Sequence, residues 1–192
     1  MRKFAVFMFV AAALVVTACS VNVKKDSEGR DKNVDINTPF GGIHVNENAD
    51  VRDTGLPVYP GAHQKEKESS GNEKSANVDI STSAFGLKVV AVEYESPDSP
   101  SKVTAYYQDQ LKKYGKVLLC HTSHGATYTG NHDHNRDSDE LKCEGDNSGK
   151  TIELKVGTES NQHIVSIEPE DKDKGSDFAL VYVRTRGKEG TI

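Results

Sequence analysis

Apolar and polar residues alternate along much of this chain with the two-residue period of half-buried strands. In NVDINTPFGGIHV, residues 33–45, Val34 and Ile36 alternate with polar neighbours. Pro39 to Gly42 supply turn chemistry, and Ile43 and Val45 then resume the alternation. The stretch predicts a short β-hairpin. Its skeleton returns at residues 77–89 as NVDISTSAFGLKV. Such a recurrence marks either a duplicated β-unit offering a partner-binding edge, or independent convergence on hairpin composition; two copies do not make an array. The first copy can also pair with a sheet as an accessory hairpin. Further strands are expected at 76–82, 86–94, 116–122, 140–145, 151–157, 163–169 and 178–185, with turn signals at Asn147-Ser148-Gly149 and Glu159-Ser160-Asn161.

One segment changes the period. In SPSKVTAYYQDQLKKYG, residues 99–115, Val103, Tyr107, Leu111 and Tyr114 fall at helical spacing, with Tyr106 at the edge of the stripe. Ser99 can cap this helix, Pro100 suits its first position, and Gly115 suits its exit. A tyrosine stripe can serve a ligand, but it fits core packing with hydrated hydroxyls better. Strands, one helix, then more strands is the order of an α+β fold. We expect a twisted antiparallel sheet with one main α-helix packed across one face. Residues 20–33 are polar and aperiodic, which suits a tether. The expected organisation is therefore a leader at 1–18, a tether at 19–33, an accessory hairpin segment at 34–54, a globular domain at 55–186 and a tail at 187–192.

Composition removes several functions. The 192 residues carry 24 Lys+Arg against 29 Asp+Glu, a formal charge of −5, and charges are interspersed rather than blocked. Such a surface has no basic footprint for nucleic acid. Tryptophan is absent, so the core must rest on aliphatic residues and tyrosine.

The first residues give an address. Arg2 and Lys3 precede an apolar run from Phe4 to Val16, and Thr17-Ala18 put small residues before Cys19. A basic start, an apolar middle and small residues at the cut form a secretory signal peptide. The run is shorter than the roughly 20 residues a membrane-spanning helix needs.

Val16-Thr17-Ala18-Cys19 resembles the lipobox of bacterial lipoproteins. That resemblance implies cleavage before Cys19, acylation of the Cys19 thiol and amine, and a stable membrane anchor of the palmitate type. Ser20 after the cysteine implies sorting to the outer membrane, with the domain on its periplasmic or outer face. Over residues 56–185, Y-P-G-A and the Tyr-Tyr-x-x-x-Leu-x-x-Tyr-Gly helix also resemble small secreted or lipid-anchored bacterial domains without assigned chemistry. This second resemblance implies fold class alone.

With Cys19 assigned to lipid, Cys120 and Cys143 remain as a pair in an oxidising compartment, where a disulfide is the default. Closing that loop contributes about 3.5 kcal/mol in the chain-entropy account. The loop holds His121, His124, His132 and His134 among Asp133, Asp137 and Asp139, a nitrogen and oxygen set that could take zinc, nickel or copper. Its spacing matches no structural zinc pattern, and a polar loop closed by a disulfide accounts for it more simply. No nucleophile elbow, phosphate-binding loop, dinucleotide fingerprint or H-E-x-x-H motif is present. His44, His63 and His163 stand alone in sequence. The Glu168/Glu170 pair fits a charged loop, and Arg184, Arg186 and Lys188 could meet an acidic partner or guard an edge strand. The expectation is a non-enzymatic, lipid-anchored envelope protein without a cofactor. It would touch the membrane through Cys19 and an envelope protein through its domain, with metal binding at His121–His134 as the rival.

Overall fold

The computed structural model describes residues 19–25, 31–65, 74–123, 140–143, 147–169 and 175–187. Ten strands build one antiparallel sheet: β1 (Ser20–Lys25), β2 (Asp31–Thr38), β3 (Gly41–Asn46), β4 (His63–Gln64), β5 (Ser75–Thr82), β6 (Gly86–Ser96), β7 (Leu118–Thr122), β8 (Thr151–Thr158), β9 (Asn161–Pro169) and β10 (Ser176–Arg186). Nine run in the order β1-β2-β3-β5-β6-β10-β9-β8-β7, and β4 pairs with β6. Helix α1 (Pro100–Leu111) runs into a 3₁₀ turn at Lys112–Tyr114, and a second 3₁₀ turn spans Val51–Thr54.

The α+β expectation, a sheet with one main helix packed across a face, is corrected by this topology. The chain is predominantly antiparallel sheet, and α1 is short, with its main contacts on β8 and β9. Twelve residues of helix span about 18 Å. Nine strands side by side span roughly 40 Å, so α1 covers only a fraction of the face. The sheet outgrew the expectation because segments assigned elsewhere joined it. Residues 20–25, polar enough to suit a tether, form β1 by pairing Val21 with Ile36 and Val23 with Val34. The hairpin β2–β3, which the sequence allows to pair with a sheet, does so through β3 with β5 and adds two strands.

Three smaller differences follow from pairing partners. Residues 140–143 are not a strand, and Cys143 is joined to β7 by its disulfide rather than by a ladder. Strand β10 lies between β6 and β9, so Arg184 and Arg186 do not guard an edge. Ser99 occupies the N-cap position, but its hydroxyl lies 3.0 Å from Ser101 Oγ and makes no cap bond.

The core lies where α1 meets β6, β8, β9 and β10. Val103, Tyr107 and Leu111, the stripe expected of the helix, are fully buried against Val92, Leu154, Val156, Val165, Ile167, Phe178 and Leu180. Tyr114 lies outside it. The connection from β3 to β5 packs into the same core through Leu56 and Tyr59. It turns at Asp50, whose carboxylate accepts from the Arg52 backbone N–H at 2.9 Å and caps the 3₁₀ turn Val51–Thr54.

Candidate functional site

The recurring segments are neighbours in space. Register pairs Asp35 with His44, His44 with Asp79, and Asp79 with Lys88. One step along the strands, Asn33, Asn46 and Asn77 stand opposite one another, with Lys24 of β1 beside Asn33. Side chains alternate between faces along a strand. The N-V-D-I pattern therefore sends Asn and Asp to one face and Val and Ile to the other, in both copies. The result is a polar row across β2, β3, β5 and β6.

This row floors a cleft of about 430 Å³ lined by Lys24, Asn33, Asp35, His44, Asn46, Asn77, Asp79 and Lys88, with Val45 at its margin. His44 Nδ1 lies 2.6 Å from Asp35 Oδ1, and both side chains keep contact with solvent. Gly42 leaves room for the imidazole, since a Cβ there would lie 3.1 Å from His44 Nε2. Gly41 lets the copies approach. Its φ is +154°, and a Cβ would fall 2.2 Å from the Ser81 carbonyl oxygen on β5.

Chemically, the row offers amide donors and acceptors beside two carboxylates, an imidazole and lysine ammonium groups, spaced at the strand interval of about 4.8 Å. Among the described residues, no serine, threonine or cysteine lines the cleft beside the His44–Asp35 pair. Among the described residues no three His, Cys, Asp or Glu side chains gather to hold a metal ion. The arrangement suits recognition of a polar surface.

Apart from His44, the residues singled out in sequence lie elsewhere. Cys120 and Cys143 are bridged, with Cα atoms 5.4 Å apart, as expected. His121, on β7, is held by its backbone: its N–H donates to Asn147 Oδ1 at 2.6 Å and its carbonyl accepts from Gly149. His124, His132 and His134, with Asp133, Asp137 and Asp139, lie outside the described residues, as do Glu170 and Lys188. Cys19 is exposed, immediately before β1. His63 pairs across strands with Glu95, and Glu168 accepts from the Thr151 hydroxyl at 3.1 Å. The Asn and Asp positions of the repeat form a pattern in the sequence that does not by itself identify a site. Their signal was the identical phase of Asn, Asp and a basic residue or histidine in the two copies.

His163 is not solitary. Its ring stacks on Tyr114 with centroids 3.8 Å apart and lies 5.0 Å from Tyr182. Nδ1 lies 2.8 Å from the Thr54 carbonyl, which fixes Nδ1 as the protonated nitrogen of the neutral ring. Burial holds its pKa below the ordinary value and the Lys113 charge adds to this, while the Thr54 hydrogen bond opposes both. An unfolded histidine binds its proton near pH 6.5, above the folded value, so acidification favours the unfolded chain. Stability is thus expected to fall as pH drops through that window and to level off below the folded pKa. Urea denaturation across it should show the slope in the parent and a flatter one in His163→Gln. Equal slopes would remove His163 as the cause.

No family model matches the chain, and neither the curated proteins nor the solved structures contain a match to it.

Proposed function

We propose that this is a lipid-anchored protein of the bacterial cell envelope, without catalytic activity or cofactor, that binds another envelope component through the polar row. The anchor rests on Val16-Thr17-Ala18-Cys19 behind a basic and apolar leader, and Ser20 favours the outer membrane. The observation that carries the binding role is the row itself. Two copies of one sequence pattern lie in register, so that Asp35, His44, Asp79 and Lys88 form one line. A face that sets carboxylates beside histidine and lysine selects partners by complementarity and rejects like charge. A partner of mixed charge and polar surface, such as the exposed side of an envelope protein, suits it.

The test uses the full-length chain in its own membranes. A photo-crosslinking residue at Asn46 or Asn77 should yield a discrete protein adduct, while the same residue at Gln108 on α1 should yield none. Adding Asp79→Lys should suppress the adduct by an order of magnitude without lowering the protein level. Equal labelling from Gln108, or an adduct indifferent to Asp79→Lys, would rule the row out as the contact face.

A further inference from the structure

The turn end of the same hairpins carries apolar residues that are exposed to differing degrees. Phe40, at the tip of the β2–β3 turn, is 75% exposed, and Phe85, at the end of the β5–β6 turn, is 38% exposed. Both turns lie at one rim of the sheet, because Gly41 pairs with Thr82 just inside them. Ser20 pairs with Asn37, so Cys19 lies beside the mouth of the Phe40 turn. Arg186 joins the same rim opposite Gly86. Val21, 65% exposed, and Ile43, 37% exposed, extend the apolar surface from the rim onto the Val/Ile face.

We propose that this rim is the membrane-contacting edge of the domain, with Phe40 and Phe85 entering the interfacial layer of the bilayer that holds Cys19. The inference rests on the anchor reading and adds an orientation to it. Three features favour lipid as the occupant. The acyl site is placed on the rim itself, one residue before β1, so no tether separates the domain from the membrane. Strands spaced at about 4.8 Å put the Phe85 turn within roughly 20 Å of Cys19, and anchoring gives such a nearby surface a high effective concentration at the bilayer. Exposed aromatic tips beside a cation also suit the boundary of acyl chains and headgroups, where Arg186 can keep its charge in the headgroup layer. A bilayer meeting this rim leaves the polar row on the flank of the domain, open to a partner beside it.

The chain contains no tryptophan, so a single indole reports its own surroundings. Phe40→Trp and Phe85→Trp, each in the acylated full-length protein, would be reconstituted into phosphatidylethanolamine and phosphatidylglycerol vesicles with or without brominated acyl chains. Val58→Trp serves as the control. Its neighbour Tyr59 packs on Phe178, eight residues up β10 from Arg186 and so about 27 Å from the rim. The inference expects brominated lipid to quench the two rim indoles at least twofold, a blue-shifted emission from both, and acrylamide alone to quench the control. Acylated protein whose rim indoles stay open to acrylamide overturns the orientation and leaves the anchor standing. Rim indoles shielded from both quenchers place a protein there, a second copy included, and also overturn it. An intact mass with no acyl chain on Cys19 overturns the anchor, and the orientation falls with it.

Discussion

Replacing Lys155 with methionine is expected to destabilise the fold by about 3–5 kcal/mol, because it strands a buried carboxylate. Lys155 Nζ lies 3.1 Å from Glu153 Oε2 on β8, and the two side chains are only 8% and 3% exposed. Alternation along β8 puts both on the face away from α1, while Leu154 and Val156 enter the core beneath the helix. Once the ammonium is gone, the Glu153 carboxylate is left buried without this partner, which costs free energy. The double variant Glu153→Leu/Lys155→Met removes both charges and should be more stable than Lys155→Met alone, since apolar replacement of a buried pair is often neutral. Urea denaturation of parent, both single variants and the double would measure the coupling. Additive losses would show that the two charges act independently and would defeat the expectation.

Tyr107→Ala should cost a similar amount, about 3–5 kcal/mol, the range for truncating a buried aromatic ring. The ring is fully buried at the middle of α1. Its centroid is 5.0 Å from Tyr106, 5.6 Å from Phe178 and 6.5 Å from Tyr59, so it joins the helix, β10 and the 3₁₀ connection. The hydroxyl donates to the Pro57 carbonyl at 3.1 Å, and burial pushes its pKa far above the ordinary tyrosine value. Tyr107→Phe retains the packing and loses one hydrogen bond, worth about 1 kcal/mol. The informative quantity is the gap between the two variants in denaturant midpoint. If Tyr107→Phe lost as much as Tyr107→Ala, the hydroxyl rather than the ring would hold the connection in place.

These two positions also mark what the sequence could disclose. Tyr107 was legible, because Val103, Tyr107 and Leu111 repeat at helical spacing and only one face of the helix can bury them. The disulfide was legible once Cys19 was set aside, as two cysteines then remained. Lys155 was not, since TIELKVG reads as a strand with one polar and one apolar face, and no local pattern says that both faces are covered. The extent of the sheet was hidden for a related reason. Val21 and Val23 are ordinary in a polar segment, and only pairing with Val34 and Ile36 turns Ser20–Lys25 into β1. A strand made by its partner leaves a weak trace in its own residues. The polar row was half visible. The repeat could be read directly, but whether two hairpins forty-odd residues apart lie side by side depends on the chain between them.

The same duplication bears on how register is decided. Val34, Val45, Val78 and Val89 stand opposite one another across β2, β3, β5 and β6, with Ile36, Ile43, Ile80 and Leu87 in the next column. Strands with one shared apolar phase give little local preference for which hairpin lies next to β10. That choice passes to the connection between the copies, where Leu56 and Tyr59 are fixed in the core and Tyr59 donates to Asp98 at 2.8 Å, just ahead of α1. The order of the hairpins is thus a decision made by residues 47–74, which belong to neither of them.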